Sequence, residues 1–253
     1  MGDGLFSVDG KTVLVTGGSR GIGLMIARGF VAAGAQVVIS SRKAEVCAAV
    51  AAELSCAAIP ADLSSVAGAD ELAAAVRERF PSLDVLVNNA GATWGAPLSD
   101  YPESAFDKLW AVNVKAIFRL TTALLPALRA AAAPDDPARV INIGSVDGLR
   151  VPAMETYAYS TTKAGVHMLT RHLARQLAAE HITVNAIAPG PFESKMMAFA
   201  LDDPQLRAAI EEQIPLGRIG RPDDMAGTAL FLASRAGAYL TGTIIPVDGG
   251  MTA

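Results

Sequence analysis

A doubly wound α/β domain is what the sequence predicts, on three observations. Seven short runs rich in β-branched residues recur along the 253 residues, at 12–16, 36–40, 56–59, 83–87, 139–143, 182–186 and 243–247. Helix-length segments separate them, and a glycine-rich turn follows the first run. Strand–helix–strand repetition builds a parallel sheet with helices on both faces, because the crossovers are right-handed. Several runs, such as Val37-Val38-Ile39, are apolar at consecutive positions, as strands covered on both faces require. The expected architecture is therefore one domain over 1–253 with a mostly seven-stranded parallel sheet. Between Pro189 and Pro222 the alternation breaks: two helical patterns occur with no strand between them. Residues 190–221 are expected to form a substrate-covering insertion, since such folds carry those loops at the carboxyl ends of strands.

Composition excludes several classes. Hydrophobic residues make up 51% and charged residues 18%, the reverse of a disordered chain. The formal charge of −4 gives no overall field toward nucleic acid or anionic lipid, so neither is an expected partner. Mean hydropathy is high at +0.35, yet no uncharged apolar run approaches the ~20 residues of a spanning helix. Buried strands and alanine-rich helices account for the average, and no membrane association is expected. The N-terminus lacks a basic stretch followed by an apolar one, so no signal peptide is expected. Cys47 and Cys56 form neither a CxxC nor a Cys/His cluster, which points to free thiols in the cytoplasm. His167 and His172 do not share a helix face, and His181 begins a strand, so no metal is expected.

The first run leads into Thr16-Gly17-Gly18-Ser19-Arg20-Gly21-Ile22-Gly23 and then a helix. Glycine lets backbone approach a pyrophosphate, and the helix N-terminus supplies N–H donors and positive potential. In dinucleotide folds an acid after the second strand holds the ribose 2′-hydroxyl, while arginine accommodates a 2′-phosphate. Here that strand ends Ser40-Ser41-Arg42-Lys43, with no acid, and Arg20 is a second cation able to reach the same place. Two guanidinium groups suit a phosphate dianion, which favours NADP(H) over NAD.

Tyr159 and Lys163 are four apart and share a helix face in a segment expected to begin near Ala153. A nearby ammonium favours phenolate and lowers the tyrosine pKa, suiting it to pass a proton to or from an alcohol oxygen. Tyr157 has no lysine at that spacing. The run ending in Ser145 puts a hydroxyl at the carboxyl edge of the sheet, where ligands bind. Asn88-Asn89-Ala90-Gly91 closes a turn beside the nucleotide. Asn113 lies in a mostly apolar helical stretch, where an amide needs partners.

Together, Thr16-Gly-x3-Gly-x-Gly23, Asp62-Leu63, Asn88-Asn-Ala-Gly91, Asn113, Ser145, Tyr159-x3-Lys163, Pro189-Gly190 and Asp248-Gly-Gly250 resemble the short-chain dehydrogenase/reductase family, in a branch of this length. The resemblance implies a Rossmann fold and the following roles. Tyr159 is the acid in reduction, Lys163 lowers its pKa and holds the nicotinamide ribose, Ser145 orients the substrate oxygen, and Asn113 positions a water in a proton relay. The cofactor runs along Gly17, Ser19, Arg20, Gly21, Ile22 and Gly23, then Ser41 and Arg42, with Asp62 and Leu63 at the adenine. Asn89, Ala90 and Gly91 flank it, and Pro189, Gly190, Phe192 and Ser194 embrace the nicotinamide, Ser194 standing where threonine is usual. The resemblance also implies a homotetramer, formed through the tyrosine-bearing helix and its neighbour.

Ile214-Pro-Leu-Gly-Arg-Ile-Gly-Arg-Pro-Asp-Asp-Met225, Thr93-Trp94-Gly95 and Tyr101-Pro102 resemble bacterial 3-oxoacyl thioester reductases, the rhamnolipid type among them. That implies a small carbonyl substrate. Carrier-protein reductases commonly have basic residues where this chain has Asp135-Asp136 and Glu180-His181. Those acids would repel an acidic carrier, so an acyl-CoA or a small ketone is the better expectation. Trp94, Leu149, Val151, Met154, Phe192, Met196, Met197 and Phe199 are the apolar pocket candidates. Asp147, two residues past the serine, either binds a polar substrate group or points to water. Two alternatives stand beside the reductase: an NAD-linked alcohol or sugar dehydrogenase, and a non-catalytic NADP-binding regulator.

Overall fold

The structure is a computed structural model that describes residues 4–193, 197 and 202–253. Seven parallel strands form one sheet in the order β3-β2-β1-β4-β5-β6-β7. They are β1 Thr12–Thr16, β2 Gln36–Ser40, β3 Ala57–Ala58, β4 Val85–Asn88, β5 Ala138–Ile143, β6 Ile182–Pro189 and β7 Ile244–Val247. The described helices are α1 Gly21–Ala32, α2 Ala44–Leu54, α3 Val66–Arg79, α4 Glu103–Trp110, α5 Ala116–Ala131, α6 Tyr157–Leu177, α7 Pro204–Glu212 and α8 Pro222–Ala233. Each expected strand forms. The edge strand β3 keeps only two residues, while β6 runs on to Pro189 beyond the expected 186.

Period-two alternation sorts the strand side chains into two apolar layers. Leu14, Val38, Leu86 and Val140 pack with Leu72, Leu120 and Leu124 on one face. Val13, Val15, Ile39, Val87 and Ile141 pack with Ile26, Phe30 and Leu232 on the other. The chain leaves β1 toward β2 and β3, then crosses back to β4 on β1's other side. The crevice at the carboxyl ends of β1 and β4 is therefore the expected ligand position.

Glu103–Ala131 is one continuous helical run, α4 and α5 joined by a π-helical turn at Ala111–Lys115. By length and composition it is long and apolar enough to cross a membrane. Its apolar stripe is spent on the core instead: Leu109, Leu120, Leu124 and Leu128 are buried, and Arg119 pairs with Asp70 of α3. Helix α6 starts at Tyr157, not near Ala153. Glu155 holds the preceding residues out of the helix, its carbonyl accepting from Ala96 N–H and its carboxylate from Leu98 N–H. Within 190–221, α7 is capped by Asp203, which accepts from the N–H groups of Gln205 and Leu206.

Arg139 of β5 is the largest fully buried side chain. Its guanidinium donates to Leu232 O and Ser234 O at 3.1 Å each, and to Asp136 at 3.3 Å. It thus closes the carbonyls at the end of α8, which have no partner within the helix. Arg139→Met should cost about 2–4 kcal/mol in a denaturant titration, because those buried carbonyls would lose their donors.

Candidate active site

Thr16 stitches the ligand crevice. Its hydroxyl donates to Val87 O and accepts from the N–H groups of Asn89 and Ala90, at 3.0–3.2 Å. Asn89 returns the link, its amide donating to Thr16 O at 2.8 Å and Gly17 O at 3.2 Å. A Cβ at Gly23 would lie 2.3 Å from Gly17 O and 2.4 Å from the Asn89 amide, so α1 can start this close only with glycine there. Ser19 is buried beside this turn and Ile22 half-buried, while Arg20 is exposed at its rim.

The far end of the crevice fits a 2′-phosphate. Ser41 Oγ is buried without a hydrogen-bond partner among the described residues; the adjacent Arg42 is exposed, as is Arg20 at the start of α1. Ser41 O accepts from Ala61 N–H at 3.2 Å, which brings Asp62 and Leu63 alongside. The Asp62 carboxyl is held below its usual range by the Ser64 N–H, with Arg42's charge adding to the effect. A buried hydroxyl with no partner, next to the Arg42 cation, is what a phosphate oxygen would satisfy.

Four side chains converge at the carboxyl ends of β4 and β5. Lys163 Nζ is buried and donates to Ile143 O at 2.7 Å. It stands 5.6 Å from the Tyr159 ring centroid. Ser145 is buried two residues past Ile143, its hydroxyl within reach of the phenol and accepting from Asp147 N–H at 3.1 Å. Asn113 sits on the π-helical turn, a local widening common at functional sites. Its amide donates to Ala92 O and Thr162 Oγ1 and accepts from Ala92 N–H. A Cβ at Gly91 would stand 3.1 Å from Asn113 Oδ1 and 3.8 Å from Lys163 Nζ, so this turn packs directly against both groups.

Other expectations meet the structure differently. Phe192 is buried in the core with Gly220 against its ring. The cavity it borders is lined by Ile214, Pro215 and Asp248, not by Tyr159. Its apolar ring gains more from the core beside Ile187 than from an open cleft. Pro189 and Gly190 end β6 next to β7, Gly190 N–H donating to Val247 O. Ser194, Met196 and Phe199 lie outside the described residues, and Met197 packs on Ile214 and Ile219. Trp94, Leu149, Val151 and Met154 are exposed. Two of the acids at 135–136 and 180 have cationic partners, and Asp136 remains half exposed. Asp136 pairs with Lys11 and Arg139, and Glu180 with Arg129. The sequence reading gave Tyr101 no structural role; its hydroxyl donates to Trp94 O and accepts from Ala158 N–H at the start of α6. It also missed the buried ladder Thr121–Asn88–Asn142–Thr170. Neither has a local signature, since each joins residues far apart in sequence.

Electrostatics depart from the expectation as well. Burial pushes the Tyr159 phenol up to about 12; Ser145's hydrogen bond opposes this and Asp147's charge adds to it. Burial pushes Lys163 down to about 8. Lys163 is turned to the Ile143 carbonyl, and desolvation penalises both charges, so the ammonium does not bring the phenol below its ordinary value. Behind them His167 is buried against Gly144 and Gly148, without a well-formed hydrogen bond at either ring nitrogen. Desolvation chiefly lowers it from 6.5 to about 4. An unfolded imidazole takes up a proton near 6.5 and the native one only near 4, so stability falls as pH drops through that window. The expected loss is about 2 kcal/mol between about pH 7 and about pH 5. His167→Gln should remove that part of the slope in denaturant titrations.

The family model described as enoyl-(acyl carrier protein) reductase matches residues 17–252. The chain is 53% identical over 249 residues to the rhamnolipids biosynthesis 3-oxoacyl-[acyl-carrier-protein] reductase of Pseudomonas aeruginosa, covering 97% of each. It is 35% identical over 251 residues to a galactitol 2-dehydrogenase (L-tagatose-forming) of Cereibacter sphaeroides, covering 98% of this chain and 97% of that one. Among solved structures, the Pseudomonas aeruginosa RhlG/NADP active-site complex superposes with a TM-score of 0.96 at 52% identity, over 98% of this chain and 99% of that one. With the glycine turn, the serine, the tyrosine and the lysine in one crevice, matches of this extent establish that the chain belongs to the short-chain dehydrogenase/reductase family of oxidoreductases.

Proposed function

We propose that this chain reduces the 3-keto group of an acyl thioester, or of a related ketone, to a secondary alcohol with NADP(H) as cofactor. The observation that carries the reading is the convergence of Ser145, Tyr159, Lys163 and Asn113 about Gly91. When bound, NADPH supplies the hydride to the carbonyl carbon. Tyr159 gives its proton to the carbonyl oxygen, and Ser145 holds that oxygen by a hydrogen bond. Lys163 binds the nicotinamide ribose, and with Asn113 it lines the route by which the phenol regains a proton. A hydroxyl and a phenol meeting at one point suit a ketone oxygen, which favours carbonyl reduction over the enoyl reduction named by the family model.

NADP(H) over NAD is supported by the Ser41 hydroxyl, without a partner among the described residues, beside the Arg42 cation, by the absence of an acid immediately after β2, and by the NADP complex of the structural relative. Trp94, Leu149, Val151 and Met154 offer apolar walls for an acyl chain, with 190–221 as the cover. With Asp136 and Glu180 paired to cations, a carrier-linked thioester stands beside an acyl-CoA as a candidate substrate. Exposed Phe106, Trp110, Phe118 and Met168 on α4–α6 support the homotetramer. The two free cysteines fit a cytoplasmic enzyme.

Tyr159→Phe should lower kcat for a 3-oxoacyl-CoA by about two to four orders of magnitude while NADPH binding persists, followed by loss of NADPH absorbance. Parental turnover in that variant would overturn the reading. Ser41→Asp should raise the KM for NADPH at least about tenfold, because a carboxylate would face the phosphate, and should improve use of NADH.

A further inference from the structure

The segment after Gly91 leaves the ligand crevice and crosses to the start of α6. Residues 92–97 form neither helix nor strand, and most of them are exposed. A stretch of this kind has no ladder of its own, so its position rests on single hydrogen bonds to its neighbours. Asn113 holds the near end at Ala92. At the far end Ala96 N–H donates to Glu155 O and Leu98 N–H to the Glu155 carboxylate, both at 3.2 Å. Between them Trp94 O accepts from the Tyr101 hydroxyl, also at 3.2 Å.

That hydroxyl makes a second bond, to the helix that carries Tyr159. Thr156, at the N-cap of α6, turns its own hydroxyl back to Met154 O, and the helix has no side-chain cap from that residue. The Tyr101 oxygen supplies one from a distance, accepting from Ala158 N–H at 3.1 Å, one residue before Tyr159. Its ring is fixed on two sides, edge-on to Phe106 of α4 at 5.6 Å between centroids and to Tyr157 of α6 at 5.2 Å. Helix α6 is placed without this contact, since Lys163 and Thr170 bond it to β5 and Thr162 bonds it to Asn113. The segment that depends on the Tyr101 hydroxyl is therefore 92–98.

We propose that Tyr101 is a positioning residue for the substrate: its hydroxyl, held between Trp94 O and Ala158 N–H, fixes the wall formed by 92–98 at one distance from the turn that carries Tyr159, and so favours ketones whose chain reaches that wall. The inference rests on the reading of Tyr159 as the proton donor to a ketone. Binding energy gained along the chain, away from the keto group, is what holds the keto group still at the phenol. A wall free to drift loses that hold on a long chain and costs a short one little.

The test is Tyr101→Phe, which keeps the ring between Phe106 and Tyr157 and removes the hydroxyl alone. Amide hydrogen exchange is first compared with the parent in the absence of substrate. Ala96 and Leu98, whose own acceptors lie on Glu155, should exchange at least about fivefold faster in the variant, with the β1 amides unchanged. For a long-chain 3-oxoacyl-CoA kcat/KM should then fall about tenfold, and for acetoacetyl-CoA less than about twofold, with the Kd for NADPH unchanged. Unchanged exchange at Ala96 and Leu98 overturns the proposal, even where Ala158 exchanges faster. So does an equal loss for both thioesters, which would place the effect on α6 and Tyr159. A parent that turns over neither thioester, with faster exchange at Ala96 and Leu98 in the variant, removes the substrate reading and leaves the brace standing.

Discussion

A lysine ammonium inside a protein has to be given acceptors, and here the acceptor is the Ile143 carbonyl, 2.7 Å away at the end of β5. That bond joins α6 to the sheet and sets the helix's rotation. Tyr159, one turn earlier on the same face, is brought to Ser145, two residues beyond Ile143. Gly91 packs beside the same ammonium, a Cβ there standing 3.8 Å from Nζ. Asn113 adds a second polar clamp, tying Ala92 to Thr162 of α6. These groups are thus held by hydrogen bonds, with the buried Asn142–Thr170 bond also joining β5 to α6, and each bond has a buried partner that is costly to leave unpaired.

The same burial dictates the electrostatics. It raises the phenol and lowers the lysine and the histidine, because all three disfavour charge in a desolvated place. In the proposed reduction the phenol has to be protonated in the resting protein, and burial favours that form. The argument that an ammonium four residues away must draw the phenol down treats two charges as though nothing surrounded them. Here desolvation is the largest influence on both groups.

Charge on the outside follows a different logic. Asp136 and Glu180 look like a repulsive patch when only local sequence is considered. In the fold they are partners of Lys11, Arg139 and Arg129, drawn from distant segments. Long-range pairing of this kind changes what a surface presents to an acidic partner without changing the net charge. The sheet itself is indifferent to these pairs, since its two apolar layers rest on alternation within the strands.

The sequence by itself determined the sheet, the order of its helices, the glycine turn, and the identities of Ser145, Tyr159 and Lys163. Those features are local: alternation, spacing within one helix, and glycine next to a helix start are all written in neighbouring residues. What only the tertiary structure decided joins residues distant along the chain. The Thr16–Asn89 stitch, the Asn88–Asn142 ladder and the Tyr101 brace on α6 are of this sort. So are the π turn under Asn113, the burial of Phe192, and the balance of desolvation and charge at Tyr159. Burial is a property of everything packed around a group, and no window of sequence contains it.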